Sequence, residues 1–256
     1  MEISGKTRVL GLLGHPVAHS LSPFIHNMLA QRLNDDVVYA AFDVAPQHLE
    51  KAIQGAHALG VAGFNVTHPH KTAAAALAIR LHESARRANA VNTLKYTPDG
   101  YLGYNTDIIG IQRAFAHQNI VVAGQTIVLV GAGGAGRAAT IAVAEMGCKK
   151  LVIANRTRDN AQKLADMLKR DYGTEAEICD ISMVKHKECD VFIRSVPQNI
   201  AHQPRQYDII FDMNYFPQKT KSGLLMLIYQ AVAAYEIFHD TTVPQDIVDE
   251  LIASLI

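Results

Sequence analysis

Cysteine is scarce in this chain, the two signs of charge cancel, and no long apolar run is present near its start. Its three cysteines, Cys148, Cys179 and Cys189, are odd in number and lack metal-ligand spacing, so free thiols in a reducing compartment are expected rather than a disulfide framework. Lys plus Arg equals Asp plus Glu at 24 each, which favours no polyanion and no membrane surface, hence neither nucleic acid nor membrane as partner. The opening stretch MEISGKTRVLGLLGHP carries an apolar run of five residues, far short of a signal-peptide core or a membrane span. Twelve histidines are scattered without an HExxH or similar cluster, so no metal site is expected. Internal repeats, low-complexity tracts and long linkers are missing too. What remains is an ordinary composition, 49% hydrophobic and 19% charged over 256 residues, which can bury one large core or two small ones. A cytoplasmic enzyme acting on small ligands is the expectation.

Short β-rich runs alternate with helical stretches: Arg8 to Leu13, Val37 to Val44, Gly63 to Val66, Thr126 to Val130, Lys150 to Ala154, Asp190 to Ile193 and Asp208 to Asp212. That alternation predicts an α/β fold with mainly parallel sheet. Ser22-Pro23 reads as an N-cap followed by a proline at the first helical position, and Ala45-Pro46 repeats the proline signal. Ile25, Met28, Leu29 and Leu33 then continue an apolar stripe that belongs to a core. A seam lies between Tyr101 and Gly124, where a helix-like run, Ile108 to Gln118, separates two α/β patterns, so a second domain is expected to begin at about Asp107. The two halves are expected to meet across a cleft.

The second half opens with a strand, Thr126 to Val130, followed at once by Gly131, Ala132, Gly133, Gly134, Ala135 and Gly136 and an Ala-rich helix. Gly131, Gly133 and Gly136 match GxGxxG, whose glycines allow a tight turn and admit a pyrophosphate to a helix N-terminus, where free amides and the helix dipole favour anions. Alone the pattern is weak, and a ligand-free glycine turn is the bland alternative. Its context of strand, turn, helix and second strand, Leu151 to Ala154, favours a dinucleotide. NAD-binding versions place an Asp or Glu at the end of that second strand to accept from the ribose hydroxyls. Here Asn155-Arg156-Thr157-Arg158 stands instead, with no carboxylate to repel a phosphate and two guanidiniums able to clamp one, which predicts NADP. Solvated arginines opening a helix are the alternative, stronger for Arg158 than for Arg156.

Three segments of the first half place small hydroxyls or amides at the ends of apolar strands: Ser20-Leu21-Ser22-Pro23 with His26-Asn27, Asn65 to Lys71, and Asn89 to Thr93. Such groups can hydrogen-bond a polyhydroxylated ring, and neutral donors can hold a carboxylate; each alone also reads as a cap or turn. Together with Tyr104-Asn105-Thr106-Asp107 they form the series HSLSPFIHN, FNVTHPHK, ANAVNT, GYNTD, GAGGAG and NRT. In that order and spacing, over nearly the whole chain, the sequence resembles the shikimate dehydrogenase family. The resemblance implies that Ser20 and Ser22 hold a ring carboxylate, while Asn65, Thr67, Lys71, Asn92 and Asp107 surround the ring hydroxyls. Tyr215 and Gln230, in DMNYFP and MLIYQA, complete the implied substrate set, Met213 and Gly223 border the nicotinamide, and Glu83 approaches the cofactor.

Oxidation of a secondary alcohol needs a proton acceptor within hydrogen-bond reach, and the resemblance makes Lys71 and Asp107 the catalytic pair. Which of them holds the proton stays open; Lys71 can also act by stabilising alkoxide charge. Two departures from the family stand out. After Asp190-Val191-Phe192-Ile193, where relatives read NATPxGM, this chain reads Arg194-Ser195-Val196-Pro197-Gln198-Asn199-Ile200, and Arg194 reads as a second phosphate contact or as a solvated loop residue. Lys221-Ser222 then runs straight into Gly223, and Leu225 replaces a common glycine, where relatives place about a helix and a strand; a true deletion shortens one edge of the nucleotide-binding sheet. The sequence therefore predicts a two-domain α/β enzyme. Residues 1–106 with helices of 224–256 form the substrate-binding domain, and 107–223 form a Rossmann-like NADP domain. Its expected reaction is NADP-dependent interconversion of shikimate and 3-dehydroshikimate in aromatic amino acid biosynthesis, by a monomer or homodimer. Alternatives are a quinate/shikimate or aminoshikimate dehydrogenase, or a catalytically silent shikimate-binding homologue.

Overall fold

The computed structural model describes residues 3–196, 200, 202–217 and 219–256. They divide into two compact units: one runs to Thr106 and resumes over Gln230–Ile256, and the other is Asp107–Tyr229. In the first unit the chain forms β1 (Arg8–Gly14), α1 (Ser22–Leu33), β2 (Val37–Asp43), α2 (Leu49–Ala58), β3 (Gly63–Val66), α3 (Lys71–Leu77), β4 (Arg80–Leu81), α4 (Glu83–Ala88), β5 (Thr93–Thr97) and β6 (Gly100–Tyr104). These strands make one six-stranded sheet in the order β2-β1-β3-β5-β6-β4. The first three pair in parallel, whereas β5 is antiparallel to both β3 and β6. β1 and β3 are buried almost end to end, as expected of central strands covered on both faces, with Asn65 of β3 the buried polar exception.

Local sequence explains the helix starts. Pro46 opens a single 3-10 turn, Pro46–His48, that leads into α2. Ser22 departs from its expected role: it is the first residue of α1 rather than its cap, and no side chain caps that helix. The hydroxyl of Ser22 is thus not used for capping. Asn27 ties α1 to β2 instead, donating to the carbonyls of Pro23 and Tyr39 at 2.8 and 2.9 Å and accepting from the Tyr39 amide at 2.9 Å. Leu13, Phe64, Val66, Val91, Leu94 and Tyr101 form the heart of this unit's core.

The second unit continues with α5 (Asp107–His117), β7 (Thr126–Val130), α6 (Gly134–Glu145), β8 (Lys150–Ala154), α7 (Arg158–Met167), β9 (Glu175–Cys179), β10 (Glu188–Arg194) and β11 (Gln206–Asp212). Its sheet has the order β11-β10-β7-β8-β9 with every ladder parallel. Among the described residues this sheet stops at β11: residues 213–220 lead directly into α8 (Lys221–His239), where the sequence shows its gap. The helix α8 crosses the boundary between the units at Tyr229 and Gln230, six residues beyond Gly223 and in mid-helix, and α9 (Gln245–Leu255) follows. α8 is apolar around its whole circumference and buried along most of its length. No helix among the described residues is long and apolar enough to cross a membrane.

The first unit buries His26, a residue of the Ser20–Asn27 segment. His26 stacks on Tyr39, with ring centroids 4.2 Å apart and 4° between planes, and both ring nitrogens lack a hydrogen bond. Burial, and second the nearby His239, push its pKa down from 6.5 to about 3. Burial also lowers His239, followed by the charge of Arg8, whose Nη2 lies 2.8 Å from the His239 Nδ1. Between these limits the unfolded chain binds a proton at His26 that the folded chain refuses, so stability is complete above pH 6.5 and falls as pH drops toward about 3. Replacing His26 by Phe keeps the stacking and removes the titration. Urea midpoints measured along a pH series should show a shallower acid limb for His26→Phe than for wild type; parallel limbs would contradict the burial argument.

Candidate active site

All the sequence-singled segments of the first unit emerge at one edge of its sheet. β1 and β3 are parallel, so Gly14 and Val66 end side by side, and the Ser20–Ser22 and Thr67–Lys71 segments both follow from that edge. A Cβ at Gly14 would lie 2.4 Å from the Thr67 methyl, so only glycine lets the loop after β3 close over the end of β1. The His15 amide donates to the His68 carbonyl at 3.0 Å and seals that contact. Ser20 Oγ accepts from the Ser22 amide at 3.2 Å, and Ser22 Oγ has no protein hydrogen bond among the described residues. Lys71 is the first residue of α3 and partly exposed, with its carbonyl accepting from the Val91 amide at 2.8 Å.

Antiparallel pairing brings the other strand ends to the same edge, because Asn65 is in register with Thr93 and Thr93 with Tyr104. Here a buried amide and hydroxyl network forms. Asn65 accepts from Tyr39 Oη at 2.9 Å and donates to Thr93 Oγ1 at 3.2 Å and to the Asn92 carbonyl at 3.3 Å. Asn92 Oδ1 accepts from the Thr106 amide at 2.8 Å and from Thr93 Oγ1 at 3.0 Å, while its Nδ2 donates to Thr106 Oγ1 at 3.0 Å. Gln230, in α8, joins through Oε1, which lies 3.5 Å from Asn92 Nδ2 and from Thr106 Oγ1. The donors of Asn65 are both engaged, so it has one acceptor lone pair on Oδ1 left for a ligand. Glu83 stands apart from this network: it is exposed at the start of α4, 3.8 Å from Arg87.

Asp107 directly follows Thr106 and opens α5 in the second unit, where it is buried, with its charge at the favourable end of the helix dipole. The Tyr215 hydroxyl is pushed above its ordinary pKa by burial first and by the Asp107 carboxylate second, so these two sequence-predicted residues lie within electrostatic range of each other. Met213 is buried, and Gly223 presses on the carbonyl of Asn214, which a Cβ would approach to 2.4 Å.

At the glycine turn the structure separates two kinds of glycine. Gly131 has φ +108°, and a Cβ there would meet Ser195 Oγ at 2.3 Å. On Gly136 it would lie 2.1 Å from the Gly131 carbonyl oxygen, so these two are required by the protein's own packing. A Cβ on Gly133 or Gly134 meets nothing within 4 Å, so no protein atom demands glycine at either. Open space at the N-terminus of α6, beside amides without partners in the helix, fits a pyrophosphate. Asn155 Oδ1 accepts from the Ala132 amide at 3.1 Å and Nδ2 donates to the Thr157 carbonyl at 2.8 Å, which joins the turn to the end of β8. Arg156, Thr157 and Arg158 are exposed, and neither guanidinium has a carboxylate partner among the described residues. The donor set therefore fits a dinucleotide carrying an extra phosphate.

Arg194 corrects both sequence readings, since it is neither a solvated loop residue nor an exposed phosphate contact. It ends β10 in register with Asp212 and forms a buried ion pair with that carboxylate, the side chains being 7% and 6% exposed. Its Nε is buried without a partner among the described residues. Burial pushes the Asp212 carboxyl up, but hydrogen bonds from Arg194 and Asn214 together with the guanidinium charge outweigh it and hold the group below its ordinary range. Of the departing segment, Pro197, Gln198 and Asn199 lie outside the described residues. Sequence reasoning missed Tyr39 and Asp212, since Tyr39 sits in a strand that reads as core and Asp212 in one that reads as a strand end.

The chain is similar to proteins of one family along its whole length. Three family models match it: shikimate dehydrogenase substrate binding domain over residues 12–94, shikimate / quinate 5-dehydrogenase over 114–215, and shikimate 5'-dehydrogenase C-terminal domain over 223–252. The shikimate dehydrogenase (NADP(+)) of Methanothermobacter thermautotrophicus is 35% identical over 276 residues, covering 97% of this chain and 96% of the relative. A shikimate dehydrogenase crystallised in complex with NADP+ superimposes with a TM-score of 0.86 at 33% identity, covering 99% of this chain and 97% of the other. The Thermus thermophilus shikimate 5-dehydrogenase, in complex with NADP(H) and shikimate, gives a TM-score of 0.80 at 27% identity over 97% of this chain and 100% of the other.

The two kinds of glycine predict opposite behaviour. Gly136→Ala forces backbone apart and should destabilise the fold by about 3 kcal/mol, an overpacking effect. Gly133→Ala should change stability by less than about 1 kcal/mol, the scale of a helix-cap substitution. It should nevertheless lower dinucleotide affinity, because its methyl enters the open space. Thermal unfolding and NADPH titration of both variants check the split; normal affinity in Gly133→Ala would rule out the turn as the phosphate cradle.

Proposed function

Because the chain belongs to the shikimate dehydrogenase family, we propose that it catalyses the reversible NADPH-dependent reduction of 3-dehydroshikimate to shikimate. The observation that carries the substrate side is the uncharged strand-edge network of Asn65, Asn92, Thr106 and Gln230, with Lys71 opening the neighbouring helix. A ring bearing one carboxylate and several hydroxyls asks for neutral donors and acceptors held in fixed directions, and a satisfied buried network holds its members in that way. Ser20 and Ser22 receive the carboxylate through hydroxyl donors. Thr67, Asn92, Asp107, Tyr215 and Gln230 face the ring hydroxyls, and Asn65 contributes its remaining lone pair.

The cofactor reading is supported by the lack of a carboxylate at the end of β8 and by the exposed Arg156 and Arg158, which together favour a 2'-phosphate. When bound, the dinucleotide supplies the hydride in one direction and accepts it in the other. In reduction, protonated Lys71 gives its proton to the carbonyl oxygen as that oxygen gains charge; in oxidation, the amine of Lys71 takes the hydroxyl proton. Asp107 accepts a hydrogen bond from an adjacent ring hydroxyl and so orients the ring. Met213 and Gly223 border the nicotinamide, and Glu83 approaches the cofactor.

Growth of NADPH absorbance on mixing the enzyme with shikimate and NADP+, run beside NAD+ and beside quinate, tests this reading. Shikimate with NADP+ should be the preferred pair. Lys71→Ala should lower kcat about a hundredfold or more, the range of a lost general acid-base group, while NADP+ affinity is kept. Wild-type turnover in that variant would refute the assignment, and shikimate binding without turnover in the wild type would mark a silent homologue. Arg156→Ala should raise KM for NADP+ about tenfold and leave KM for NAD+ unchanged, as expected for a lost charge-assisted clamp.

A further inference from the structure

The buried ion pair at the ends of β10 and β11 is linked by short hydrogen-bond paths to three residues assigned above to the nicotinamide and the ring. Asp212 divides its oxygens: Oδ2 accepts from Arg194, while Oδ1 accepts from the Asn214 amide at 3.1 Å and from Asn214 Nδ2 at 2.6 Å. Asn214 lies between Met213 and Tyr215, and its Nδ2 also donates to the Val196 carbonyl at 2.9 Å. The Met213 amide donates to the Arg194 carbonyl at 3.0 Å. Thr220 Oγ1 lies 2.9 Å from the Asp212 carbonyl as donor and accepts from the Gly223 amide at 3.1 Å, and it also reaches the Asn214 carbonyl. Met213, Tyr215 and Gly223 thus all depend on two strand ends that the ion pair holds together. No further described strand pairs with β11, so the outer side of this edge has no backbone ladder to fix it.

We propose that Arg194 and Asp212 are a positioning pair, which sets the nicotinamide-facing segment of residues 213–223 through Asn214 and Thr220 while leaving the adenosine end of the cofactor site alone. The pair stands apart from that end in the sheet order: β7 lies between β10 and β8, whose terminus carries Asn155 to Arg158. Arg194 couples the end of β10 to the end of β11 through a charged hydrogen bond from Nη2 to the Asp212 carboxylate. An arginine side chain has the reach to do this across a strand pair, and buried ionic groups are best attested as devices of registry rather than of net stability. This inference rests on the NADP reading given above.

The test compares NADPH with adenosine 2',5'-bisphosphate, which has the adenosine end and lacks the nicotinamide, in wild type, Arg194→Asn and Asn214→Ala. Asn214→Ala keeps the ion pair and the backbone amide bond to Asp212 but removes the side-chain bonds of Asn214 to Asp212 Oδ1 and to the Val196 carbonyl, so it tests the side-chain coupling even where Arg194→Asn does not fold. Expected is a loss of about tenfold in NADPH affinity, the scale of a charge-linked hydrogen bond, with bisphosphate affinity kept. Turnover with shikimate should fall by up to about a hundredfold at unchanged bisphosphate affinity, as misplacement of a reacting group does. Equal weakening of both nucleotides would show a merely structural role and overturn the proposal, as would unchanged NADPH affinity in Asn214→Ala. Wild-type protein that binds both nucleotides yet ignores shikimate would sink the substrate reading, while the affinity ratio would still decide on the pair. Wild-type protein that binds neither would overturn both.

Discussion

Parallel pairing brings strand ends from distant parts of the chain onto one edge of each sheet. In the first unit it aligns Leu13 with Val66, so the segments after β1 and β3 start side by side; in the second it aligns Val130, Ala154, Arg194 and Asp212 in one row. The chain then leaves each sheet through loops and helix starts that begin at that edge, where open α/β sheets bind their ligands. Ser20, Lys71, the glycine turn, Asn155 and Met213 all occupy such positions. The antiparallel hairpin of β5 and β6 adds Asn92 and Thr106 to the same edge of the first sheet from the opposite chain direction.

Polar groups at those edges are buried, and the fold meets the cost of burial differently in the two units. In the first unit neutral amides and hydroxyls satisfy one another, from Tyr39 through Asn65 and Asn92 to Thr106 and Gln230. An unpaired member of such a network would be costly, so its geometry is fixed before any ligand arrives. His26 departs from this, as does Nε2 of His239: the His26 ring nitrogens lack partners, and the ring stays neutral because burial disfavours its charge. In the second unit the buried groups are charged. Asp212 remains ionised against the effect of burial because Arg194 and Asn214 together offset it.

The edge of the second sheet gives the charged pair its setting. Among the described residues β11 is the last strand on that side, and the link from it to α8 carries Met213, Tyr215 and Thr220. Side-chain hydrogen bonds to Asp212 and Asn214 order that link in place of a further backbone ladder. Gly223 is held against the Asn214 carbonyl at a distance that no Cβ tolerates, which binds the start of α8 to the same arrangement.

Much of this was legible in the amino-acid order because local rules act on short windows. Strands β1, β7 and β8 are mainly apolar runs, the glycine turn carries its own backbone requirement, and the missing acid after β8 is a chemical statement that needs no coordinates. The short strand β4, the pairing of β5 with β3, and β9 were not legible, since their composition is mixed and their pairing partners lie far along the chain. Ser22 looked like a cap because the cap signal is local, and the helix began there instead. Arg194 was misread for the opposite reason: a lone arginine at a strand end says nothing about whether a carboxylate on the next strand will meet it. By itself the sequence determined the kinds of groups at each strand end and the backbone freedoms they need. Only the tertiary structure decided which are already satisfied, as Asn65 and Arg194 show, because burial and hydrogen-bond pairing are properties of neighbours that chain order does not specify.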